Sequence, residues 1–224
     1  MRSGSRSLLC VSGVIVLLAA GCAGFGSREP EEWDGLVRQR NARLGALFVK
    51  PDVDFSVYQN VVLDPVAVSF SRNWNPNRTA SGVSRRLDAQ DVAAIQSRLA
   101  AMVHEIFVEE LNRAGYPLVA EPSHETLRVT AAIIDLYITA PDTLPPGRVT
   151  TFAADSGRMT LVLELRDSVT GEILARAVDT RTGRRSGPMT VTSRTTNTAD
   201  ARRAIRVWAS GLRQALAEMY APRT

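Results

Sequence analysis

The chain has 224 residues, 45% of them hydrophobic and 22% charged, a composition that excludes a disordered or fibrous protein. Its length suits one domain with a leader or tail. Two cysteines and two histidines, His104 and His124, cannot build a four-cysteine zinc site and leave few soft ligands for a transition metal, so no cofactor is expected. Lys50 is the only lysine. Removing Arg2 and Arg6 with a leader leaves 25 basic against 23 acidic residues, a net charge of +2. With aromatics at only 6% of the chain, the pattern of a nucleic-acid binder is missing, and nucleic acid is not an expected partner.

Arg2 and Arg6 precede an apolar run of thirteen residues, 8–20. A helix that crosses the hydrocarbon core takes roughly 20 residues, so this run is too short. It fits the apolar region of a secretory signal, with small residues at Ala19, Ala20 and Gly21 where a peptidase must fit the backbone. The ending Leu18-Ala19-Ala20-Gly21-Cys22 resembles a bacterial lipobox. That resemblance implies a diacylglyceryl group on the Cys22 sulfur, cleavage before Cys22 and acylation of the new amine. Cys10 would leave with the leader, so Cys22 would be the only mature cysteine. Two or three acyl chains, each CH₂ worth about 0.8 kcal/mol when buried, anchor stably where one chain would not. Ala23, rather than Asp, follows the cysteine; by the sorting pattern of such lipoproteins this implies the outer membrane and a periplasmic face. The alternatives are an ordinary cysteine after an ordinary signal, or a buried helix over residues 8–20.

The expected organisation is a lipoprotein signal peptide at 1–21, the lipidated cysteine and a tether at 22–54, and a single periplasmic domain at 55–224. Within the tether, Trp33, Leu36, Leu44, Leu47 and Phe48 could form a short helix or a docking segment. Residues 60–70 (NVVLDPVAVSF) read as a strand that Pro65 makes irregular or places at an edge. Residues 71–86 read as a loop. Asp88 then caps a helix whose apolar positions, Val92, Ile95, Leu99, Met102, Val103, Ile106 and Leu111, keep one face to Gly115. Residues 126–139 are apolar on both faces, as in a central strand. A loop at 140–157 leads to a strand near Met159–Leu165. The turn Asp167-Ser168-Val169-Thr170-Gly171-Glu172 joins it to a second strand at 173–181. A polar loop, 182–197, precedes a last helix starting near Thr198 and burying Ile205, Trp208, Leu212 and Leu216. The resulting fold class is α/β of the α+β type, a mostly antiparallel or mixed sheet of about four strands with two long helices on one face.

The lipobox, Asp64-Pro65, the segment 126–135 (TLRVTAAIID), Leu165-Arg166-Asp167-Ser168 through Thr170-Gly171-Glu172-Ile173-Leu174-Ala175-Arg176, and Trp208 with Leu212 and Arg213 together resemble the bacterial lipoprotein family named domain of unknown function 3313. The resemblance covers roughly residues 45–220. It implies an envelope compartment and this fold, and carries no functional residues.

Asp167 and Glu172 flank a tight turn, where paired acids for glycan cleavage compete with plain turn chemistry. Asp135 sits in an apolar strand, where a buried carboxylate must be paired or protonated; outward exposure or pairing with an arginine is the alternative. No nucleophile elbow or phosphate-binding glycine loop occurs. The one charge asymmetry is at 176–206. Its arginines Arg181, Arg184, Arg185, Arg202, Arg203 and Arg206 form a candidate anion-binding patch for lipopolysaccharide, anionic headgroups or peptidoglycan carboxylates, against the alternative of a solvated surface. The expected role is a non-enzymatic binding or accessory module, partnered by the membrane through Cys22 and by an envelope protein, peptidoglycan or lipopolysaccharide. An envelope hydrolase working through carboxylates, or a carrier with a pocket under 140–157, is the alternative.

Overall fold

The protein is described by a computed structural model over residues 31–40, 44–75, 77, 86–138, 151–153, 157–183, 190–192 and 194–220, with backbone alone at 151–153, 190–192, 194–196 and 219–220. In chain order the elements are β1 (Glu32–Trp33), β2 (Leu36–Gln39), β3 (Ala46–Val49), a 3-10 turn (Phe55–Val57), β4 (Asn60–Leu63), β5 (Ala67–Phe70), α1 (Ala89–Arg113), β6 (Thr126–Ile138), β7 (Thr151–Ala153), β8 (Gly157–Asp167), β9 (Ile173–Thr182), β10 (Thr190–Thr192) and α2 (Arg194–Tyr220).

Eight strands form one mixed sheet in the order β1-β2-β3-β9-β8-β6-β4, with β5 also on β6, while β7 and β10 pair separately. The expectation of about four strands is therefore overturned. The segment expected as tether or docking helix supplies three of the extra strands. Asp34 (φ 53) and Gly35 (φ 76) turn the chain between β1 and β2, positive φ at both central residues being what a type I′ hairpin requires. Residues 60–70 give two strands because Pro65 has no N–H to donate; β4 and β5 each run parallel to β6 on either side of it.

Helix α1 starts on a capping box in which the Asp88 carboxylate accepts from Asp91 N–H (2.9 Å) and the Asp91 carboxylate from Asp88 N–H (3.1 Å). It ends at Gly115 (φ 80), with Tyr116 N–H donating to Leu111 O and Gly115 N–H to Asn112 O, the paired bonds of a Schellman stop. Leu127, Val129, Ala131 and Ile133 of β6 alternate inward. With Leu161, Leu163 and Leu165 of β8 they share one core with Leu99, Val103, Ile106 and Phe107 of α1 and Ile205, Trp208 and Leu212 of α2. The alternate positions form the other face, where Phe48, Arg176, Glu164 and Thr130 stand abreast on β3, β9, β8 and β6.

Candidate functional site

Two groups of polar side chains are bound into the sheet, one on each face. On the face away from the helices, the Asp64 carboxylate accepts from Arg128 Nε–H (2.9 Å) and Thr130 Oγ–H (2.7 Å). The Arg128 bond, against the cost of burial, holds this carboxyl below the usual carboxylate range. Next to it, Glu164 accepts from Arg166 (3.0 Å) and from Arg176 Nε–H (2.8 Å), and Arg176 also donates to Asp34 (2.7 Å). Arg176 is 7% exposed. Burial opposes its charge, but the bonds to Asp34 and Glu164 outweigh it and raise its pKa. The Trp33 ring covers the guanidinium at 4.3 Å and meets Phe48 edge-on. The chemistry of this cluster is adhesion: a buried cation fastens the β1–β2 hairpin to β9.

On the helix face, Asp179 is 8% exposed. Its carboxylate accepts from the Trp208 indole N–H (2.7 Å), Arg181 Nε–H (2.6 Å) and Gly45 N–H (3.0 Å). A buried charge needs such a set of partners. The bond to Gly45 also explains that glycine, because a Cβ there would lie 2.8 Å from the Asp179 carboxylate. Asp179 was legible in principle, since Ala175, Ala177 and Asp179 share one alternation.

Asp135 lies at an odd position of β6 like the buried Val129, Ala131 and Ile133, yet it is exposed. A register shift between Ile134 and Tyr137 and positive φ (50) at Asp135 turn it out and put Leu136 into the core. The Asp167 carboxylate accepts from Val169 N–H, Thr170 N–H, the Thr170 hydroxyl and the Tyr58 hydroxyl. These bonds, the Thr170 amide foremost, lower its pKa. Burial, with Asp167 adding to it, pushes the Tyr58 hydroxyl up to about 12. Asp167 opposes Leu127 near the start of β6, eight residues from Asp135. At about 3.3 Å per residue they stand roughly 25 Å apart, whereas paired glycosidase carboxylates need about 5–9.5 Å. Glu172 bonds Lys50.

The arginine patch is divided. Arg181 is the counter-ion of Asp179, and Arg203 pairs with Asp200 (2.9 Å). Arg202 is half-buried and Arg206 exposed. Arg184, Arg185 and Cys22 lie outside the described residues, as does most of 140–157. The expected helix start near Thr198 would place Arg202, Arg203 and Arg206 in the first turns. The helix starts at Arg194, two turns before Arg202, and a helix-end charge effect has faded by then. His104 and His124 are exposed. Among the described residues, no three metal-ligating side chains come together, and no helix is long and apolar enough to cross a membrane.

These elements define an α+β domain with one mixed sheet and two helices on a shared core. Residues 24–212 match the family described as a protein of unknown function (DUF3313), and the chain belongs to that family. No curated protein matches the sequence. Among solved structures, the chain is similar to a Xanthomonas campestris protein of family DUF330 (TM-score 0.44, 16% identity, 75% of this chain and 89% of that one). It is also similar to the PelC dodecamer from Paraburkholderia phytofirmans (TM-score 0.39, 13% identity, 75% and 94% covered). A third is a minor lipoprotein from Acinetobacter baumannii (TM-score 0.35, 14% identity, 72% and 95% covered).

Proposed function

We propose that this is a lipid-anchored envelope protein, held in the outer membrane by acyl chains on Cys22. Its domain serves on the periplasmic side as a non-enzymatic binding or accessory module. The observation that carries the reading is the leader, a basic start and a thirteen-residue apolar run that closes on Leu18-Ala19-Ala20-Gly21-Cys22. The acids speak for binding rather than catalysis. Asp64, Asp167 and Asp179 are committed to holding turns and strands, and Asp135 and Asp167 stand too far apart to act as a pair. Partners on this reading are an envelope protein, peptidoglycan or lipopolysaccharide, with Arg202, Arg206, Arg184 and Arg185 as anion contacts. The test is Cys22→Ala in the full chain. Metabolic labelling with a fatty-acid analogue should be lost and the protein should leave the membrane fraction; labelling that persists would refute the anchor.

A further inference from the structure

We infer that the end of the sheet carrying the β8–β9 turn and the β1–β2 hairpin seats directly on the zwitterionic lipid surface to which Cys22 is anchored; this rests on the lipid-anchor reading. The first observation is reach. Residues 23–30 separate Cys22 from Glu31, and fully extended they span at most about 30 Å. As a flexible Gly- and Ser-containing linker they span nearer 15–20 Å. A folded body of this size is about 40 Å across, so the opposite end cannot turn down to the membrane. The surface that meets lipid is the one around Glu31, whose carbonyl accepts from Arg38 N–H at the β1–β2 hairpin.

The second observation is what that end exposes. Trp33, Val37, Val57 and Val169 are each 40–51% exposed. They sit on different elements that meet at this one end. Val37 is abreast of Val49, and Val49 of Ala175 near the start of β9. Val169 is in the turn just before β9. Val57 precedes Tyr58, whose hydroxyl donates to Asp167 at the base of that turn (3.0 Å). An apolar ring with a polar edge suits the headgroup layer, and tryptophan favours that depth. Phe25 in the linker adds an apolar residue on the same path. Charge decides which lipid. Glu32, Asp52, Asp54, Glu121 and Glu125 surround this end and are exposed, so anionic headgroups would repel it and zwitterionic ones would not.

The experiment uses the full lipidated chain in zwitterionic vesicles that contain acyl-brominated lipid. Tryptophan emission should be quenched, and Trp33→Phe should lower the quenched fraction at least about twofold. Trp208 is in the core, and Trp74 is tied to Ile138 at the other end of β6. Replacing a third of the lipid with an anionic one should weaken quenching at low salt and less so at 0.15 M salt, where screening acts within about 8 Å. With Cys22 acylated, Val169→Cys gives a single free thiol; a polarity-sensitive dye there should shift to the blue on reconstitution, and one on Val207→Cys should not. This second readout stands even where Trp33→Phe does not fold. Protein that floats with the vesicles while Trp33→Phe leaves quenching unchanged, or while neither dye responds, overturns the seating and leaves the anchor intact. Protein that does not float overturns both.

Discussion

Asp179 shows how one residue can join three distant parts of the chain, because Trp208, Arg181 and Gly45 all donate to it. Trp208→Ala should cost about 3–5 kcal/mol, the usual range for a buried large aromatic. Trp208→Phe keeps most of the volume and removes one donor to a buried carboxylate, so about 1–3 kcal/mol is expected. Denaturant unfolding of both variants separates packing from hydrogen bonding, and equal losses would show that the indole N–H contributes nothing. The two lowered carboxyls, Asp64 and Asp167, set the acid side. Their pKa values are lower folded than unfolded, so their stabilisation is full above the unfolded value of about 3.9. It is lost as pH falls from there through the folded value. Asp64→Asn should therefore flatten the decline of stability between about pH 4 and pH 2. An unchanged pH profile would mean that the Arg128 pair is screened away by solvent.

Elements were legible where one strong local signal set both type and limits. Helix α1 carried a cap, an unbroken apolar stripe and a stop glycine, and its ends fall within a residue of expectation. Asp88→Ala should cost about 1 kcal/mol by thermal or denaturant unfolding, the usual worth of an N-cap; no loss would mean the first turn frays regardless. The strands β1, β2 and β3 were not legible, because two to four residues are too few for a period to show. Their burial also depends on residues more than a hundred positions away, as Arg176 is from Asp34. The Asp34-Gly35 pair was the signal available, a strong hairpin dipeptide between apolar residues. Asp135 and Asp179 reverse each other for one reason. Alternation assigns a face only while register holds; it holds to Asp179 on β9 and is broken by the bulge at Asp135 on β6. The candidate patch was legible as charge and not as site, since pairing of Arg181 with Asp179 and Arg203 with Asp200 depends on the fold.

At the scale of the molecule, the open question is where the tether stops and the domain begins. The β1–β3 segment puts Leu36, Leu44 and Phe48 under 5% exposure and supplies the Asp34 carboxylate to Arg176 and the Gly45 N–H to Asp179. Burying three such side chains is worth about 1.5–3 kcal/mol each. A whole domain holds only about 5–15 kcal/mol. Removing the segment would also bare the long edge of β9, which now pairs with β3, and an exposed apolar edge invites aggregation. A chain starting at Glu31 should therefore unfold in one cooperative transition and remain monomeric in light scattering. One starting at Pro51 keeps α1, α2 and β4–β10 but should lose most of its stability, and should aggregate or melt broadly. Matching transitions for the two chains would place residues 31–50 with the tether and leave the domain beginning beyond them.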